Sequence, residues 1–118
     1  MTYQEVKNLI SEIATALKCE YAYSTFKDGK RDRFIIFFYD GSDDLFADNE
    51  NYQSIENLRI DFYSATKEID SEQTIQSILK AHELGYDKIT SYISSEQIHM
   101  TTYNTEVLIK WETKLSSV

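Results

Sequence analysis

The chain has 118 residues, 42% of them hydrophobic and 14% aromatic, which is the size and apolar content of one ordinary folded domain and excludes a disordered chain. Its net charge of −8 disfavours general binding to nucleic acid or anionic lipid, because both need a positive footprint. Cys19 is the single cysteine, so an internal disulfide and a multi-cysteine zinc site are excluded.

Thr2 and Glu5 stand at capping-box distance, and Val6, Leu9, Ile10, Ile13 and Leu17 recur at helical spacing. This predicts a helix over 3–18 with one buried face, and an amphipathic start rather than a signal peptide. No long apolar run follows, so a soluble protein of a reducing cytoplasm is expected, with Cys19 an inert, half-buried thiol at the helix end. "EYAYSTF" alternates Tyr21, Tyr23 and Thr25 on one side, "KDGKRDR" is a polar turn with a glycine, and "FIIFFY" (34–39) is a short apolar run. Together they predict a hairpin whose second strand is central.

Beyond an acidic stretch, Leu58, Ile60 and Phe62 alternate with Arg59, Asp61 and Tyr63, a strand with one buried face. A second helix follows, with Ile75, Ile78 and Leu79 on its buried face. Asp70 or Ser71 is the expected cap, and Gly85 is expected to close the helix. "DKITSYI" and "HMTTYNTEVLIKWE" then read as strands, the latter with Tyr103, Thr105, Val107, Ile109 and Trp111 on one face. The order α-β-β-β-α-β-β predicts an α+β fold, a mainly antiparallel sheet with two helices packed on one face. Residues 1–118 are expected to form a single domain, with 112–118 a short C-terminal tail.

The acidity is concentrated. Residues 40–72 hold ten acids and two bases, Arg59 and Lys67. A calcium loop of the EF-hand type would need Gly41 sixth and so would begin at Ile36, where the ligand pattern fails. Three glycines, at 29, 41 and 85, cannot build a phosphate-cradling loop, and no nucleophile elbow is present. His82 lies on the apolar stripe of the second helix, and His99 pairs with no cysteine or second histidine at zinc spacing. An enzyme, a metal site and a cofactor are therefore not expected. The plain reading of the acidic stretch is a solvated connection. The binding reading sets Asp40, Asp43, Asp44, Asp48 and Glu50, with Phe46 and Tyr52 as apolar anchors, against a basic turn of Lys27, Lys30, Arg31 and Arg33. Opposite patches on one domain suit head-to-tail contacts between copies, which close into a ring when the rotation allows.

"FADNENYQ" (46–53), "IDFYSATKEIDSE" (60–72) and "YISSEQIHMTTYNTEVLI" (92–109) carry a resemblance that extends over roughly residues 20–110. With them the chain resembles the small minor tail proteins of siphophages and prophages of Gram-positive bacteria, in the tail terminator or tail completion class. The resemblance implies a structural role without catalysis. Such proteins form a ring, usually of six subunits, on the head-proximal end of the tail tube. The ring stops polymerisation and presents the surface that docks onto the head connector. Expected partners are therefore the chain itself, the major tail tube protein and the connector or neck protein, with no sequence recognition of nucleic acid and no membrane. The expected location is the host cytoplasm during assembly and the virion tail afterwards. The resemblance also implies that the acidic segment is a contact-bearing connection between strands, and an acidic loop partly disordered before assembly would suit that role. Two alternatives stay open: a neck adaptor of the same particle, and a small acidic inhibitor or DNA mimic.

Overall fold

A computed structural model describes residues 1–26, 32–47 and 51–110, with the backbone alone over 42–47 and 51–53. Two helices and five strands follow one another as α1 (Tyr3–Leu17), β1 (Glu20–Tyr23), β2 (Arg33–Ala47), β3 (Asn51–Ser64), α2 (Ile69–Ala81), β4 (Asp87–Ile93) and β5 (Ile98–Lys110). This is the predicted α+β order. The strands form one sheet in the order β1-β2-β3-β5-β4.

The Thr2–Glu5 capping box closes the start of α1 as the sequence requires. At its end Lys18 takes a left-handed conformation (φ 56°), with Lys18 N–H bonded to Thr15 O and Cys19 N–H to Ala14 O. Helix α2 ends the same way. Glu83 (φ 59°) donates to Lys80 O and Leu84 N–H donates to Leu79 O. The expected stop at Gly85 is thus two residues too late, because a glutamate occupies the left-handed position. The expected cap is also displaced. Glu68 precedes the helix without a side-chain cap bond, while the Ser71 hydroxyl donates back to it at 2.6 Å.

Strand β3 is central, paired antiparallel with β2 on one side and β5 on the other. Ile35, Phe37, Leu58, Ile60, Phe62, Tyr103, Val107 and Ile109 share one face and meet Val6, Leu9, Ile10, Ile13, Ile75 and Leu79 of the helices. This is the core, and it places both helices on the same side of the sheet. The opposite side carries Phe34, Phe38 and Tyr63, all half-buried, and no helix among the described residues.

One pairing departs from expectation. β1 and β2 are parallel, with Glu20 beside Phe34 and Tyr23 beside Phe37, rather than a hairpin. The reason is at the end of β1. A γ-turn centred on Ser24 (φ 69°), with Thr25 N–H bonded to Tyr23 O at 2.7 Å, turns the chain out of the strand direction. The chain next joins the sheet at Arg33, beside β1 and running in the same direction. The expected glycine-containing turn lies almost wholly outside the described residues, and its composition does not say which way the next strand runs.

Candidate interaction surface

Among the described residues the acidic stretch is strand and not irregular connection. Residues 40–47 and 51–53 belong to the long β2–β3 hairpin, with Asp43 across from Ile55, Asp44 across from Ser54 and Phe46 across from Tyr52. The expected disorder of this region does not apply to those residues. Alternating residues had hidden the strand, because acids and asparagines are depleted in strands and read as loop.

The hairpin carries a bulge. Tyr39 pairs with Leu58 and Ser42 with Glu56, so Asp40 and Gly41 together oppose Asn57. Gly41 sits at φ 114°, a conformation that a side chain resists. Beyond this point β1 no longer accompanies β2, and β4 has left β5, since β4 pairs only with Ile98–Asn104. The sheet therefore narrows to an arm of three strands. Met1 supports its outer edge: the N-terminal ammonium donates to Leu108 O at 2.8 Å, and Lys110 N–H donates to Met1 O at 2.9 Å. At the root of the arm Glu56, 8% exposed, accepts hydrogen bonds from Tyr3 Oη and Ser54 Oγ, each at 3.1 Å.

Beside that root is a cluster of tyrosines. The rings of Tyr3 and Tyr39 meet edge to face at 5.2 Å, and Tyr23 approaches Phe37 at 5.3 Å and Tyr39 at 6.0 Å. With Lys7, Tyr21 and Ala22 they line a pocket of about 490 Å³. Burial and the neighbouring Tyr3 and Tyr23 hold the Tyr39 phenol far above its ordinary range. Tyr3 and Tyr23 are 48% and 55% exposed, unusual for aromatic residues that have not been placed in a core. Sequence reading left the tyrosines unsorted. Only the parallel β1–β2 pairing stacks Tyr23 beside Phe37 and so creates this surface.

A second surface lies on the helix-free face. Phe34 stacks on Tyr63 at 4.6 Å with 17° between planes, Phe26 meets Phe34 edge-on at 5.5 Å, and Arg59 lies 5.2 Å over the Phe38 ring. Arg59 also pairs with Asp61 at 3.0 Å, and Thr102 donates to the same carboxylate oxygen at 2.7 Å. Asp61 is 2% exposed, so this pair plugs the floor of a groove of about 710 Å³ that runs towards Ile93 and Ile98.

The expected basic partner is divided. Lys27, Lys30 and Arg31 lie outside the described residues, as do Asp48 and Glu50. Asp40 is exposed at the bulge. Arg33 is committed within the subunit: Nε bonds both oxygens of Glu68 at 2.9 and 3.0 Å, Nη2 donates to Ser71 Oγ at 3.2 Å, and Nη1 donates to Leu17 O. The Arg33 hydrogen bond, against the opposing effect of burial, holds the Glu68 carboxyl below its ordinary value. Glu72, 2% exposed, is a further buried carboxylate that sequence reading missed. Lys67 and Lys88 clamp it at 2.5 and 2.7 Å. Among the described residues no group of His, Cys, Asp or Glu is arranged to hold a metal ion, and no helix is long and apolar enough to cross a membrane.

The fold has a counterpart. The chain superimposes on a subunit from the virion of a native gene transfer agent particle with a TM-score of 0.60, covering 90% of this chain and 92% of that one at 7% identity. At that identity the likeness is one of fold. No family model matches the chain, and no curated protein matches it by sequence.

Proposed function

We propose that the protein is a non-enzymatic structural subunit of a phage-type tail, forming a ring at the head-proximal end of the tube. The ring would end tube polymerisation and offer the head its docking surface. The observation that carries this reading is the end-to-end fold match to a virion subunit, because 90% and 92% coverage leaves little of either chain unaccounted for. Two aromatic surfaces on one small subunit, one exposed through Tyr3 and Tyr23 and one half-buried, support it, since aromatic residues are enriched where proteins meet. The partners in this reading are copies of the chain, the tail tube protein and the connector. Assembly takes place in the host cytoplasm before the ring enters the virion.

Electron microscopy of a lysate from a phage or prophage lacking the gene tests the proposal. Headless tails of abnormal and uneven length, beside filled heads, are the expected result. Tails of normal length that fail to join heads would move the protein to the neck. Intact virions would overturn the structural reading.

A further inference from the structure

We infer that the pocket beside the arm receives the end of the β2–β3 hairpin of a second copy of this chain, making the contact between neighbouring subunits heterologous. The inference rests on the ring-forming reading and names the surfaces that would join.

The pocket offers one kind of chemistry. Its walls are the rings of Tyr3, Tyr21, Tyr23, Phe37 and Tyr39, and Lys7 stands at its margin. Among the described residues Lys7 has no ion-pair partner, and the hydroxyls of Tyr21, Tyr23 and Tyr39 have no hydrogen-bond partner. An aromatic cup rimmed with hydroxyls that have no partner within the described residues and with a cation suits a ligand that offers both apolar and anionic groups.

The sequence of the hairpin supplies both kinds of group. From Phe34 to Leu58 the sequence contains no Lys or Arg, while Asp43 and Asp44 precede Phe46, and Phe46 is paired across the hairpin with Tyr52. The subunit cannot fill its own pocket with this segment. Tyr39 is at the pocket and Ala47 is eight residues further along the same strand, about 25 Å away at the rise of an extended chain. A ligand and its receptor held this far apart on one extended strand join different copies, and repetition of that contact closes a ring or grows a filament.

Disulfide trapping between two single-cysteine chains tests this. In full-length protein carrying Cys19→Ser, one variant adds Tyr23→Cys and the other Phe46→Cys. The expected result is a covalent dimer when the two are mixed under mild oxidation, little in either alone, and a ladder of higher species from a chain carrying both. Tyr23→Ala, at an exposed position that should not disturb folding, is expected to weaken self-association at least about tenfold. Lys7→Glu is expected to weaken it also, with Asp44→Lys restoring part of the loss. Equal cross-linking in either variant alone would indicate a symmetric contact and overturn the inference. Rings seen by microscopy without the mixed cross-link would overturn this contact while leaving the ring-forming function in place. Mixed cross-linking together with intact virions from the gene deletion would do the reverse.

Discussion

Arg33 and Glu68 stand 2.9 Å apart across 35 residues of sequence, and through them the start of β2 is tied to the start of α2. The guanidinium also reaches the last carbonyl of α1 and lies 5.5 Å over the Phe62 ring, so one side chain joins both helices to the sheet. Nε alone reaches both carboxylate oxygens, while Nη1 and Nη2 donate to Leu17 O and Ser71 Oγ, a planar spread of donors to three partners that a lysine ammonium cannot reproduce. Arg33→Ala is therefore expected to lower stability by about 1–3 kcal/mol, and Arg33→Lys to recover less than half of the loss. Urea unfolding followed by circular dichroism measures both. A destabilisation below a few tenths of a kcal/mol for Arg33→Ala would mean the pair is an ordinary surface contact.

Glu72 gives a second test, through pH. Burial opposes its ionisation, but the hydrogen bonds from Lys67 and Lys88 outweigh burial and hold its carboxyl below the ordinary 4.5. Glu68 is shifted the same way. A carboxyl with a depressed pKa in the fold stabilises the protein above its unfolded value, and that stability is lost as the pH falls through the folded value. Stability should hold from neutrality down to roughly pH 4.5 and drop below it. Glu72→Gln should start less stable at neutral pH and lose less on acidification. Parallel acid limbs for the two proteins would show that Glu72 does not contribute to the pH response.

Gly41 is the pivot of the acidic arm. A methyl group there would meet nothing closer than Asn57 Nδ2 at 3.7 Å, so the space exists and the obstacle is the backbone angle of φ 114°. Gly41→Val should cost about 1–3 kcal/mol, or else shift the bulge and the register beyond it. Amide exchange separates those outcomes. Faster exchange confined to Ser42–Ala47 and Asn51–Glu56 would show a loosened arm, and faster exchange everywhere would show a global loss. Unchanged exchange and unchanged stability would mean that the bulge tolerates a side chain.

These residues also show what could be read in advance. Period-3.6 patterns located both helices and period-2 alternation located the inner part of β3 and most of β5, because burial dictates which residues alternate: Leu58, Ile60 and Phe62 are at most 1% exposed, while β2 was legible only over its apolar run at 34–39. Direction was harder. Whether β1 meets β2 parallel or antiparallel depends on the left-handed turn at Ser24, which a serine does not advertise. The end of α2 was misjudged for the same reason, since Glu83 holds a position where glycine is the usual signal, whereas the apolar stripe alone placed the end of α1 within a residue of Leu17. For the candidate site, the arm's aromatic anchors and acids were visible as a segment, but the pocket was not. It is assembled from α1, β1 and β2, and no local pattern separates the exposed Tyr23 from the buried Tyr103. Arg33, counted among surface cations by its place in a basic run, spends its charge on Glu68.

The tyrosines allow one further measurement. Burial raises the phenols of Tyr3, Tyr39, Tyr63 and Tyr103 above the ordinary 10.0, with nearby Glu56, Asp61 or Glu72 adding to the effect. A phenol that stays protonated in the fold stabilises it below the unfolded pKa, and the stability is lost as the pH rises through the folded value. Ultraviolet titration of the nine tyrosines should therefore show part of the amplitude lagging beyond pH 10 and arriving together with the loss of native circular dichroism. Tyr39→Phe should reduce that late fraction with little change in stability, because the hydroxyl has no partner among the described residues. Were all nine to titrate as one group near pH 10 in the folded protein, the close packing of Tyr39 and Tyr103 would be wrong, and the pocket inferred beside Tyr39 would lose its inner wall.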